Sequence, residues 1–155
     1  MSTKSNNTKN ISEYYEIEDI ESYDYQKTKD NVERLFSQYR NYKNKQDIIV
    51  KRYNSSFSLD NLGIFSSVIS DPVYNKVEQL EKYNNFIATI EQAYNLYSYM
   101  LDNDEKVIFS KYLLTRHKDD DLMEELCINS RSSLYYKKKK CLIKVALWFD
   151  LEVLI

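Results

Sequence analysis

The sequence predicts an all-α protein: a helical N-terminal region followed by a C-terminal helix-turn-helix domain. Three observations carry this. A single Gly and a single Pro in 155 residues leave little material for the tight turns that sheets need. Apolar residues recur at three- and four-residue spacing over long stretches. A composition of 43% hydrophobic and 30% charged residues suits a folded chain of one domain or two small ones.

Taken in order, residues 1–10 are polar and expected to be disordered, and with the acidic stretch that follows they make an arm over 1–26. From Ile11 to Tyr25 that stretch holds Glu13, Glu16, Glu18, Asp19, Glu21 and Asp24 without a basic residue. It is either a solvated arm or one that docks on a basic helix or a partner. A helical region over 27–101 comes next. Val32, Leu35, Phe36, Tyr39, Tyr42, Ile49 and Val50 predict one amphipathic helix over 28–52, with Thr28 as its N-cap and an interruption near Asn44 allowed. The Ser-rich run 54–71 is the linker candidate, and Pro72 suits a first helical turn. Val73, Val77, Leu80, Ile87, Ile90, Tyr94, Tyr97 and Leu101 write a second long helix, whose stripe is either monomer core or the seam of a homodimer.

The last region, 102–155, carries the strongest pattern. Asp102 can cap a helix over 103–115 with Val107, Ile108, Tyr112 and Leu113 facing inward. Asp119 or Asp120 can cap a short helix through Leu126. Cys127-Ile128-Asn129 reads as a turn with Ile128 inward. Asn129 or Ser130 then caps a long helix with Leu134, Cys141, Leu142, Val145 and Phe149 on its buried side.

Charge singles out this final helix. The net charge is −2, yet residues 126–149 hold six basic groups and no acid, against −6 for residues 1–125. A basic helix with one apolar side can pack on that side and meet phosphates on the other. In a helix-turn-helix the second helix enters the major groove with its N-terminal end. Ser130, Arg131, Ser132 and Ser133, then Tyr135 and Tyr136, occupy that end. Arg131 is the candidate base reader, since a guanidinium can donate two hydrogen bonds to a guanine edge. Lys137, Lys138, Lys139, Lys140 and Lys144 are the candidate phosphate contacts. If about five of these cations each neutralise a phosphate, log affinity should fall with log salt at a slope of roughly −4 to −5. Four consecutive lysines encircle a helix, so at least one should lie on the packing side and stretch to reach solvent.

Other function classes find little support. Cys127 and Cys141 have no partners at zinc-ligand spacing and suggest no disulfide framework. His117, the only histidine, lies in the polar connection Arg116-His117-Lys118, and Asp119-Asp120-Asp121 lacks calcium-loop spacing. With no nucleophile motif and no phosphate-binding glycine loop, no enzyme activity, cofactor or metal is expected. No apolar run reaches the roughly 18 residues of a membrane span, and Met1 to Asn10 has no signal-peptide core. A cytoplasmic protein is expected.

The stretch Ile128-Asn129-Ser130-Arg131-Ser132-Ser133-Leu134-Tyr135-Tyr136-Lys137-Lys138-Lys139-Lys140-Cys141-Leu142-Ile143-Lys144-Val145-Ala146 resembles the closing helix of the ArpU/RinA-like phage transcriptional regulators. Thr28 with Arg40-Asn41-Tyr42-Lys43, and Ser67-Val68-Ile69-Ser70-Asp71-Pro72-Val73, are similar to two earlier family motifs, so the resemblance spans roughly 28–149. Asn129 stands where the family often has Ser, Cys141 where it often has Ala, and Ser133-Leu134 lengthens the helix start by one residue. Two registers of the base-facing positions are therefore open. The resemblance implies a helical activator of late phage genes for packaging or lysis, with a C-terminal domain similar to region four of sigma factors. Double-stranded DNA is the expected partner, with RNA polymerase or a second copy of the chain as further candidates. The rival expectation is a protein-interaction regulator that docks its basic helix on polymerase or another factor. A sigma-like factor would combine both.

Overall fold

Asp24, not Thr28, opens the first long helix: its side chain accepts the Lys27 backbone N–H at 3.1 Å, as an N-cap carboxylate does. In the computed structural model, residues 19–60 and 71–155 are described, with side chains over 19–52 and 75–155. The expected disordered segment 1–10 and the arm residues 11–18 lie outside them. The described residues form helices and no strand; one isolated antiparallel bridge joins Tyr23 and Leu154.

α1 runs without interruption from Tyr25–Asp60 and α2 from Asp71–Tyr97. The expected linker at 54–71 is thus helical at both ends; residues 61–70 between them lie outside the described set. Pro72 falls in the first turn of α2, where a missing N–H costs nothing. A 3₁₀ turn at Ser98–Met100 follows, then α3 (Asn103–Ile108), a π-helical segment (Phe109–Leu114), α4 (Asp119–Glu125) and α5 (Arg131–Trp148).

The chain divides into two compact units, Leu35–Tyr94 and a first unit assembled from Met1–Arg34 and Asn95–Ile155. This departs from the expected boundaries at 27 and 102 because the opening turns of α1 are tied to the C-terminus. Thr28, fully buried, accepts the Val153 N–H on Oγ1 at 2.9 Å, and Asn31 donates to the Leu151 carbonyl at 3.2 Å. Thr28 is therefore a tie to the C-terminal tail rather than a cap.

Within Leu35–Tyr94, Phe36 and Tyr39 of α1 and Ile87, Ile90 and Ala93 of α2 are buried. Tyr42 lies tilted against Tyr83 and meets Phe86 edge-on, with ring centroids 4.7 and 5.0 Å away. Polar pairs hold the helices alongside, Gln46 donating to Asn84 at 2.5 Å and Lys43 lying 3.5 Å from Glu91. Burial and the Glu91 carboxylate push the Tyr39 phenol up to about 12.

The first unit is built on α5, against which α3 and α4 pack. Asp102 and Glu105 form a reciprocal capping box at the start of α3, as Asp followed by Glu three residues later allows. The expected helix over 103–115 changes pitch at Phe109. The wider π turn lets Ile108, Phe109, Tyr112 and Leu113 all point inward, a set that a regular α-helix would spread around more of its circumference. Inward-facing Leu134, Cys141, Leu142, Ile143 and Val145 of α5 complete the core, each large aliphatic side chain contributing about 1.5–3 kcal/mol. Phe149 is half-buried, its ring 6.5 Å from Trp148.

Neither Asp119 nor Asp120 caps α4; Lys118 holds the N-cap position without a side-chain hydrogen bond, and the three aspartates fill the first turn, where the helix dipole favours them. At its other end Cys127 is left-handed, φ 53°, while the Cys127 and Ile128 N–H groups return to the Glu124 and Met123 carbonyls at 3.2 and 2.9 Å. These are the two bonds of a Schellman ending, with Cys in the position glycine usually takes. A Cβ at that φ is strained, so Cys127→Gly is expected to stabilise the first unit by about 1 kcal/mol, read as a higher urea midpoint at an unchanged slope.

Candidate nucleic-acid interface

Ser130 caps α5, its Oγ accepting the Ser133 N–H at 3.1 Å. Of the two residues expected to cap, Asn129 is excluded and Ser130 selected. From this start, the helix phase puts Leu134 inward and leaves Arg131, Ser132, Ser133, Tyr135 and Tyr136 outside. Tyr135 and Tyr136 are 56% and 52% exposed, more than a core role would tolerate. The residues of the expected base-facing end are thus all exposed. Half-buried Ile128 supports the turn behind it.

The basic residues sort differently. Five of the six are ion-paired within the protein: Arg131 with Asp120 at 3.0 Å, Lys137 with Asp104, Lys138 with Asp119 at 2.9 Å, Lys139 with Glu21 at 3.2 Å, and Lys144 with Glu105 at 2.7 Å. Lys144, 4% exposed, and Glu105, 2% exposed, form a buried pair, which removes Lys144 from any phosphate-contacting role. Lys138 is the inward lysine the run required. It is buried, with its ammonium 3.9 Å from the centre of the Tyr112 ring, and is likewise withdrawn from direct contact. Lys139 is largely covered beneath Glu21, with Tyr25 5.9 Å away. Lys137 and Lys140 stay half-exposed, Lys140 lying 5.6 Å from the Tyr136 ring centre.

The described end of the acidic arm docks here. Besides Glu21 on Lys139, Tyr25 meets Tyr135 edge-on, ring centroids 5.4 Å apart. The Asp24 N–H donates to the Val153 carbonyl at 2.7 Å and the Ile155 N–H to Ser22 at 2.9 Å, fastening the segment to the C-terminal tail. Of the two readings of the arm, residues 19–25 follow the docked one.

A feature the sequence reading passed over lies beside Arg131. A cleft of about 520 Å³ is lined by Lys29, Arg116, His117, Lys118, Arg131 and Lys138, together with Glu33, Tyr112 and two aspartates. Glu33 accepts from the Tyr112 hydroxyl and, at 3.2 Å, from Arg116. Burial raises its carboxyl, but Tyr112, Arg116 and nearby Lys29 together hold it below the usual range. Arg116-His117-Lys118 is a local basic signal; Lys29, far away in sequence, gave none. His117 is exposed and its Nδ1 sits 2.9 Å from the Lys111 carbonyl. Among the described residues no cluster of three metal-ligating side chains occurs, and no helix is long and apolar enough to cross a membrane. No known family model, curated protein or solved structure matches the chain.

Proposed function

We propose that the protein is a DNA-binding transcription regulator of a bacterial phage or related mobile element, an activator of late packaging or lysis genes, with α4 and α5 as its helix-turn-helix. The observation that carries the reading is the start of α5. A Ser-capped helix presents Arg131, Ser132, Ser133, Tyr135 and Tyr136 to solvent while its opposite side is locked into the core behind α4 and a tight turn. Small hydroxyl residues at a helix end permit close approach to a duplex, and the exposed guanidinium supplies a donor pair for a base edge. The resemblance of residues 128–146 to the ArpU/RinA-like regulators supports the same assignment.

Ion pairing sharpens the energetics. With Lys138, Lys139 and Lys144 engaged elsewhere, α5 offers phosphates Lys140 and, by exchange of its half-exposed pair with Asp104, Lys137. Its lysines then contribute about −2, rather than −4 to −5, to the salt slope. The interior pairing of the basic helix favours one competing reading, a regulator whose exposed tyrosines dock on RNA polymerase or another factor without reading sequence. A mobility shift with DNA from upstream of the source locus, at about 150 mM salt, separates them. Retardation at micromolar protein, weakening as salt rises, is the expected result. No retardation, with retention on immobilised polymerase instead, would select the docking reading.

A further inference from the structure

We propose that the cleft between the opening turns of α1, the connection into α4 and the start of α5 grips DNA backbone phosphates, with Lys29 and Lys118 as its contacts. This rests on the DNA-binding reading and extends it to elements outside α5.

Charge bookkeeping in the cleft supports it. Each carboxylate already has a cation: Glu33 has Arg116 at 3.2 Å, Asp119 has Lys138 at 2.9 Å and Asp120 has Arg131 at 3.0 Å. Lys29 and Lys118 make no ion pair within 4 Å among the described residues, so the cleft retains an excess of positive charge. Its lining includes Arg131, the proposed base reader. A duplex seated on Arg131 and Ser132 would bring a strand past this opening, since base-reading helices are flanked by sugar-phosphate on both sides of the groove. The mouth is open and polar, suited to a hydrated backbone rather than to an enclosed small molecule. Lysines suit such contacts, being point charges on flexible stems that neutralise phosphate without requiring a fixed geometry.

The test compares the unmodified protein with the Lys29→Ala/Lys118→Ala double variant and with a Lys76→Ala/Lys82→Ala control, which removes equal charge from exposed positions of α2. Binding to a fluorescent random-sequence duplex and to one selected from a random pool is titrated between about 50 and 200 mM salt. The cleft variant is expected to lose about tenfold or more in affinity on both duplexes, with the salt slope shallower by about 2. The control should change neither, and the circular dichroism melts of all three proteins should coincide. An unchanged slope in the cleft variant, or an equal loss in the control, overturns the cleft while leaving DNA binding by α5 standing. No binding of either duplex by the unmodified protein overturns both readings.

Discussion

Lys144→Met is expected to destabilise the first unit by about 3–5 kcal/mol, because it leaves a buried carboxylate without its counter-charge. The pair is 2.7 Å long with both side chains almost wholly out of solvent. Glu105 Oε1 also accepts the Asp102 N–H at 3.3 Å, while Oε2 has no hydrogen-bond partner among the described residues. Burial already pushes this carboxyl above its usual range, with Lys144 pulling it back. Without the ammonium the carboxyl rises further, so the native state holds a proton that the unfolded chain releases near pH 4.3. A carboxyl raised on folding gives stability that is present below the unfolded value and lost as pH climbs through the folded one. The deficit of Lys144→Met should therefore be small in acid and full at neutral pH, as urea melts at about pH 4 and pH 7 would show. Adding Glu105→Gln should restore most of the loss, since an amide carries no charge and can still accept the capping bond from Asp102. A loss no larger than that of Lys137→Met, which breaks a half-exposed pair, would refute the buried-charge account.

That residue also marks the limit of what the sequence made legible. The Asp102 cap, the choice of Asn129 or Ser130 as the cap of α5 and the inward positions of Leu134, Cys141, Leu142 and Val145 were readable because they depend on spacing within a few residues. The burial of Lys138 was readable in principle: it lies four residues after Leu134 and four before Leu142, on the stripe they define. Its partner was not. Glu21, Asp104, Glu105, Asp119 and Asp120 belong to the segment of net −6 that precedes the +6 stretch in the chain, and only the tertiary fold brings the opposite charges together. The π turn gave no warning either, because one added residue per turn is invisible to a three-and-four-residue period. Joining Lys29 to Lys118 required α1 to be tied to the C-terminal tail through Thr28 and Asn31, long-range bonds that no local pattern encodes.

On the proposed DNA-binding function, Arg131→Ala is expected to carry the largest loss of recognition, about 1–3 kcal/mol or roughly 5- to 150-fold on a selected duplex. Arg131 stands at the first position of α5 and is bonded to Asp120 at 3.0 Å, with both side chains more than three-quarters exposed. An exposed pair of that kind is worth about 0–1 kcal/mol, so exchanging Asp120 for a base edge costs little. On a random duplex only one exposed charge disappears, and the loss should be several-fold smaller. Arg131→Lys keeps that charge but not the planar fork, so it should recover non-specific affinity and leave the selected duplex weak. Asp120→Ala, which releases the guanidinium, should raise affinity for both duplexes by a few-fold at most. The decisive quantity is the ratio of the two affinities at one salt concentration. If Arg131→Ala lowers both equally, Arg131 is one more phosphate contact, and sequence reading must pass to Ser132, Ser133, Tyr135 and Tyr136, the remaining exposed side chains at that end of α5.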